Sequence, residues 1–85
     1  MTTYDHDATL AFEYDDEQRA RLVEHSIRPE VGEIDGDRSV TEVAREESIV
    51  EVVVRATDLV ALRAGLNTWL SLVSVAEKTA AVPEP

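Results

Sequence analysis

The side chains that could do acid–base or metal chemistry are scattered along the 85-residue sequence and form no catalytic pattern. His6 begins a predicted strand, and His25 lies on a predicted helix without a carboxylate pair beside it. The sequence has no Ser/His/Asp or Cys/His set, no glycine-rich phosphate loop and no metal-ligand spacing. We therefore predict a protein that is not an enzyme and that needs no cofactor or metal.

Carboxylates are abundant, but their positions favour structural roles. Asp15 and Asp16 stand where a helix begins, with Gln18 as a capping-box partner of Asp15. The pair Glu46 and Glu47 stands at a predicted turn. The acidic connector at 29–37 lacks the ligand spacing and the closing glutamate of a calcium-binding EF-hand. We interpret it as a turn-forming connector.

The polar residues with the most functional character lie on a long predicted helix at 58–75. Arg63 and Asn67 are one turn apart on it and are flanked by apolar surface. This pair is either a solvated face, with Arg63 bound to a nearby carboxylate, or the hydrogen-bonding edge of a helix–helix interface. The sequence leaves both interpretations open.

The long helix is apolar over about two-thirds of its circumference at 100° per residue. One arc, predicted to face the core, holds Leu59, Leu62, Leu66, Trp69, Leu70 and Val73. A second arc of small and weakly polar residues is left for a partner, because a chain this short can cover only one of them. With the polar pair included, the residues predicted to bind a partner are Ala61, Arg63, Ala64, Gly65, Asn67, Thr68, Leu72 and Val75.

The remaining elements complete an α+β fold of order β-α-β-β-α. Residues 6–14 alternate as a half-buried strand, and a helix follows at about 15–28, where Pro29 is predicted to end it. Strands at 38–45, of unclear register, and 49–57 form a hairpin. We predict a three-stranded antiparallel sheet with both helices on one face. The domain spans 6–77, with disordered ends at 1–5 and 78–85.

The composition of the chain indicates the environment in which the protein works. The net charge is −10, with 18 acidic residues against 8 basic ones, while 44% of residues are hydrophobic. This balance favours a folded protein of a high-salt cytoplasm over an ordinary acidic protein with a basic partner. It argues against nucleic-acid binding by the chain alone, which needs clustered Lys or Arg. The sequence shows no cysteine, signal peptide or long apolar run, so we expect a cytoplasmic location without a membrane.

The long helix resembles a known family. Leu62-Arg63-Ala64, Asn67-Thr68 and Leu70 are similar to the "LRA…N-S/T…L" helix signature of the Pcc family (CTAG/Pcc). The segments 33–39 and 28–30 agree with the same family, and the resemblance covers about residues 8–76. The sequence departs from it at residues 71–73, Ser-Leu-Val, where many members have an aromatic residue.

The resemblance implies a KH-like fold and a non-catalytic, dimerising scaffold subunit of the KEOPS complex. That complex makes N6-threonylcarbamoyladenosine in tRNA. The implied direct partners are a second copy of the chain and the catalytic threonylcarbamoyl-transferase subunit. A kinase/ATPase subunit and tRNA are implied as indirect partners, contacted only through the complex. The alternatives are a stand-alone small KH-like RNA-binding module, disfavoured by the missing Gly-x-x-Gly, and a ligand-sensing domain, for which no polar pocket pattern exists.

Overall fold

The strands and helices follow the predicted order. The computed structural model describes residues 3–33, 36 and 38–81. The elements are β1 (His6–Glu13), α1 (Glu17–Ile27), a 3-10 turn (Arg28–Glu30), β2 (Ser39–Glu46), β3 (Ile49–Ala56) and α2 (Leu59–Ala81). The sheet order is β1-β3-β2, and both strand pairs are antiparallel. This confirms the α+β class and the three-stranded antiparallel sheet.

The core lies between one face of the sheet and the two helices. Because β3 is the central strand, its inward residues Val50, Val52, Val54 and Ala56 are all 0% exposed. Helix α1 packs over β2 and β3, and α2 packs over β1 and β3. The two helices therefore lie side by side on the same face, as predicted, and they bury Trp69 as the largest core side chain.

The register of the hairpin is now defined. Strand β2 pairs with β3 residue by residue from Ser39 to Glu46, without a bulge. The opposite parity of Val40 and Val43 simply places them on opposite faces of the sheet: Val43 is buried and Val40 is half-buried. Glu47 adopts a positive φ of 54° in the connecting turn, where the sequence offers no glycine or asparagine.

Helix α1 departs from the prediction at both ends. Its cap is Asp16 and not Asp15, because Asp16 Oδ1 accepts a hydrogen bond from the backbone N–H of Arg19 at 2.8 Å. At the other end Arg28 keeps α-helical angles although it precedes a proline. The chain continues into a 3-10 helix with Pro29 among its first residues. At that position a backbone N–H would have no hydrogen-bond partner within the helix, so proline is tolerated.

Helix α2 begins as predicted and ends later. The Asp58 carboxylate accepts a hydrogen bond from Ala61 N at 2.8 Å, so Asp58 caps the helix at its predicted start. The helix runs through Ala81, so residues 78–81 of the predicted disordered tail are helical. By length and composition alone α2 is apolar enough to cross a membrane. In this fold it packs Trp69 and Val73 into the core.

Some predictions concern residues outside the described part of the chain. The predicted disorder at residues 1–2 and 82–85 lies there, as do residues 34, 35 and 37 of the acidic connector. Within the described part of the connector, Val31 packs against the core and Gly32 has a φ of +86°, in agreement with a turn.

The contact between Gly65 and Val54 gives a stability test. A Cβ at Gly65 would lie 2.9 Å from Val54 Cγ1, on a side chain with a stiff χ1. Overpacking of this kind costs about 1–3 kcal/mol, against a gain of about 1 kcal/mol in helix propensity. We expect Gly65→Ala to lower the free energy of unfolding in urea at molar salt.

The matched control is the same change in a Val54→Ala background. There the space is free, so Gly65→Ala should raise the free energy of unfolding relative to Val54→Ala alone. A gain of about 1 kcal/mol in the unmodified background would show that Val54 does not restrict this position.

Candidate partner-binding surface

The structure turns α2 by about 50° from the predicted orientation at 100° per residue. Gly65 faces Val54 of the chain's own sheet. Leu72 packs against the core, and Ala76 is only 4% exposed. The small-residue arc that was predicted for a partner is thus partly used inside the fold. Gly65, predicted to bind a partner, instead approaches the sheet of its own chain closely.

Two residues of the predicted core face are on the surface instead. Leu59 is 65% exposed and Leu70 is 44% exposed. Glu77 lies on the same side of the helix, about five turns after Leu59. It accepts a hydrogen bond of 2.7 Å from the hydroxyl of Tyr14, directly after β1. This side of α2 therefore faces outward past β1, and the prediction that Leu59 and Leu70 are core residues was wrong.

The outward side of α2 carries a row of small and apolar residues. Val60, Ala64, Ser71 and Val75 follow one another within about 60° of arc, and all four are exposed. Val60 and Val75 are 72% and 61% exposed, and Leu22 of α1 adds a further exposed apolar side chain at 47%. Only 17% of the most apolar 18-residue stretch of α2 is buried. Much of the helix is left for contact with another molecule.

The predicted partner residues thus fall into three groups. Ala64, Thr68 and Val75 are exposed on the outward side, and Thr68 donates its hydroxyl proton to the carbonyl of Ala64 at 3.0 Å. Gly65 and Leu72 face inward, and Ala61 is half-buried. Arg63 and Asn67 are exposed on the side nearer β1. Among the described residues Arg63 forms no ion pair, so this part of the chain does not supply the carboxylate of the solvated-face interpretation.

Arg63 and Asn67 border a shallow apolar groove. Its volume is about 360 Å³, and it is lined by Leu59, Leu62, Leu66 and Leu70 together with these two polar residues. We call this groove and its lining residues the α2 flank. A planar guanidinium and an amide at the border of an apolar groove can orient a partner by hydrogen bonds without adding negative charge.

The charge of α2 contrasts with that of the whole chain. The net charge of the protein is −10, yet the only acidic residue in the 23 residues of α2 is Glu77. The carboxylate of Glu77 is already occupied by the Tyr14 hydroxyl. Surfaces that are covered by partners are depleted of charged residues at their centre. In its low content of carboxylates the surface of α2 resembles the centre of an interface.

The opposite edge of the domain is charged. Glu24 on α1 accepts hydrogen bonds from Arg28 and from Arg45 of β2, the latter at 2.9 Å. Burial alone raises the pKa of Glu24, but the hydrogen bonds from the two arginines outweigh it and hold the pKa below its usual value. Arg38 likewise binds Asp58 and lowers the pKa of that carboxyl. The first set of ion pairs joins α1 to β2, and the second joins the residue before β2 to the cap of α2.

Comparison with known proteins agrees with this architecture. Residues 7–81 match a family model described as transcription factor Pcc1. The chain belongs to the Pcc1 family. This confirms the resemblance carried by residues 62–70. No curated protein sequence matches the chain.

A solved structure shows the same fold. A chain from the crystal structure of a binary Gon7–Pcc1 complex superposes with a TM-score of 0.80 at 17% sequence identity. The match covers 91% of this chain and 94% of the other. At this identity the likeness establishes the fold alone. The partner in that complex is a property of that protein and is not transferred to this chain.

The exposed leucines were missed although the sequence contains a signal for them. Glu77 falls within the same arc as Leu59 and Leu70. A carboxylate in a predicted core arc indicates that this side of the helix contacts polar groups and is not fully buried. The contact between Gly65 and Val54 has no comparable signal, because it joins residues of two separate elements.

The hydrogen bond between Tyr14 and Glu77 predicts a pH dependence. Burial, and then the bond to the Glu77 carboxylate and its charge, raise the pKa of Tyr14 far above its usual value. The neutral phenol is therefore favoured in the folded state. Its contribution to stability is complete below about pH 10 and is lost as the pH rises further. Tyr14→Phe should remove this part of the alkaline loss.

The measurement is urea unfolding between about pH 9 and pH 12 for the unmodified chain, Tyr14→Phe and Glu77→Gln. Both variants should show a shallower decline in the free energy of unfolding. If the Tyr14→Phe curve runs parallel to that of the unmodified chain, the phenol is not coupled to folding.

Proposed function

We propose that this chain is a non-catalytic scaffold subunit of the KEOPS complex, the tRNA-processing assembly that makes N6-threonylcarbamoyladenosine. It docks its helices onto helices of the catalytic threonylcarbamoyl-transferase subunit. Membership of the Pcc1 family supports the place in KEOPS. The exposed and nearly uncharged outward side of α2 is the observation that carries the docking role.

The outward side of α2 has the form that helix packing requires. Val60, Ala64, Ser71 and Val75 lie in one row along the helix, and such rows fit between the rows of a facing helix. Ala64 and Ser71 are small, so the two helix axes can approach closely. Leu22 extends the apolar area onto α1. The occupant in this proposal is therefore a pair of helices with an apolar face.

The charge distribution supports an indirect role toward tRNA. A chain with 18 acidic residues repels phosphate, so tRNA is bound by the other subunits of the complex. The kinase/ATPase subunit is likewise reached through the transferase subunit. In this proposal the chain acts in the cytoplasm as a homodimer that joins two catalytic subunits, and it uses no cofactor.

A substitution on the outward side tests the docking role. Val75 is 61% exposed, so Val75→Glu should leave folding unchanged while placing a carboxylate in the helix–helix contact. We expect it to abolish capture of the transferase subunit by the tagged chain at molar salt, read by mass spectrometry. Gly36→Glu is the matched control, because it adds the same charge where no atom lies within 4 Å of the new Cβ.

Two results would contradict this proposal. Equal capture of the transferase subunit by the unmodified chain and by Val75→Glu would show that the outward side is not the docking surface. Micromolar binding of tRNA by the isolated chain in fluorescence anisotropy at the same salt would instead favour the stand-alone RNA-binding module.

A further inference from the structure

Most arginines of this chain are close to its own carboxylates. Five of the seven form ion pairs with acidic residues of the same chain. A sixth, Arg19, lines a small polar pocket together with Glu13, Asp15 and Glu77. In a chain with 18 acidic residues this arrangement is expected. Arg63 is the exception among the arginines, all seven of which lie in the part of the chain that the structure describes.

The surroundings of Arg63 are apolar on two sides. One side is the groove of the α2 flank. The other is a second groove of about 350 Å³ on the outward side of α2, which Arg63 lines together with Leu59, Val60, Ala64 and Asn67. Neither groove is lined by an acidic residue. The guanidinium therefore stands between two apolar grooves, with the Asn67 amide as the other polar group common to both.

Arg63 lies beside the row of residues that the proposed docking uses. At 100° per residue, Asn67 falls about 20° and Arg63 about 60° from Val60. Val60 and Ala64 belong to this row and also line the second groove. A helix that packs along the row therefore covers the groove and removes water from the guanidinium of Arg63.

A covered guanidinium needs an acceptor. Arginine stays charged, and burial of an unpaired charge is strongly destabilising. Glu77 is the only acidic residue of α2, and its carboxylate is bound by the Tyr14 hydroxyl. It also lies about 20 Å further along the helix, at 1.5 Å per residue. The described part of this chain supplies no carboxylate to Arg63, so a molecule that covers the groove has to supply one.

We propose that Arg63 binds a carboxylate of the transferase subunit, presented by the helix that packs along the outward side of α2. The inference rests on the proposed function for the identity of the partner and deepens it by naming the chemistry of the contact. The planar guanidinium binds the two oxygens of a carboxylate at once. One turn further along the helix, the amide of Asn67 offers a donor for the same carboxylate.

This ion pair determines the register of docking. A row of small apolar residues fits the rows of a facing helix at more than one position along the axis. A directed charge pair favours one of these positions, since charges across an interface fix its register. Lys78 adds a second exposed cation at the same angle as Val60, five turns later. The outward side of α2 is thus complementary to a partner helix that carries carboxylates.

The affinity for the transferase subunit gives the first test. We expect Arg63→Gln to raise the Kd, measured by calorimetry with the purified subunit at molar salt, by about 30-fold or more, as is typical when one partner of a buried charge pair is removed. Arg63→Lys keeps the charge but loses the planar fork, so its Kd should lie between the two. The matched control is Arg55→Gln, which removes the same charge from the sheet face opposite the helices and should leave the Kd unchanged.

The isolated chain provides a control for folding and for oligomeric state. Arg63 is exposed and forms no ion pair within the described residues, so Arg63→Gln should leave the free energy of unfolding in urea unchanged. Light scattering should give the same mass for the variant and for the unmodified chain. A changed mass would show that Arg63 contacts a second copy, and it would overturn the proposal.

Cross-linking identifies the carboxylate directly. Lys78 is the only lysine of the sequence, so a Lys78→Arg background has no lysine amine. In that background Arg63→Lys adds a single lysine, which a carbodiimide joins to a carboxylate in direct contact with it. We expect mass spectrometry to show position 63 linked to an Asp or Glu of the transferase subunit. Arg55→Lys in the same background is the control and should link only to Glu42 of its own chain.

The outcomes distinguish this inference from the docking role. An unchanged Kd in Arg63→Gln, or no link from position 63 to the transferase subunit, would overturn the ion pair while the docking role stands. An equal loss of affinity in Arg55→Gln would show a general effect of charge and would overturn it as well. No binding of the transferase subunit by the unmodified chain would overturn the docking role itself.

Discussion

The packing of α2 on the central strand determines which surfaces the molecule offers to others. Gly65 lets the helix approach Val54 closely, and Trp69 fills the space between the helix and the sheet. A helix apolar over most of its circumference has no other strong preference for one rotation about its axis. These contacts set the rotation, and the rotation exposes Val60 and Val75 on one side and Leu59 and Leu70 on another.

The surfaces of the domain also differ in their charge. The acidic residues are concentrated outside α2, which has a single carboxylate and uses it to bind Tyr14. The β2 edge is covered by the Glu24, Arg28 and Arg45 cluster, while the β1 edge is uncharged on its inward side. The acidic residues are thus spread over the rest of the chain, including Asp7 and Glu13 of β1, and only α2 is left nearly free of them.

The strength of each sequence signal explains what could be predicted. The strand at 49–57 and the start of the long helix at residue 58 depend on patterns of neighbouring residues, and both were predicted correctly. The choice between Asp15 and Asp16 as cap depends on angles that two adjacent acids do not reveal. The rotation of α2 depends on a contact between Gly65 and Val54, residues of separate elements, and periodicity alone placed Leu59 and Leu70 in the core. Among the residues predicted to bind a partner, Gly65 and Leu72 therefore face the core, while Ala64 and Val75 are exposed.

The central claim is that this chain joins two catalytic subunits as a homodimer, with the outward side of α2 in each copy as the docking surface. The most direct measurement is the mass of the complex reconstituted from this chain and the threonylcarbamoyl-transferase subunit, by native mass spectrometry or by light scattering at molar salt. The account predicts an assembly with two copies of each protein. A complex with a single copy of this chain, or no complex at all, would contradict it.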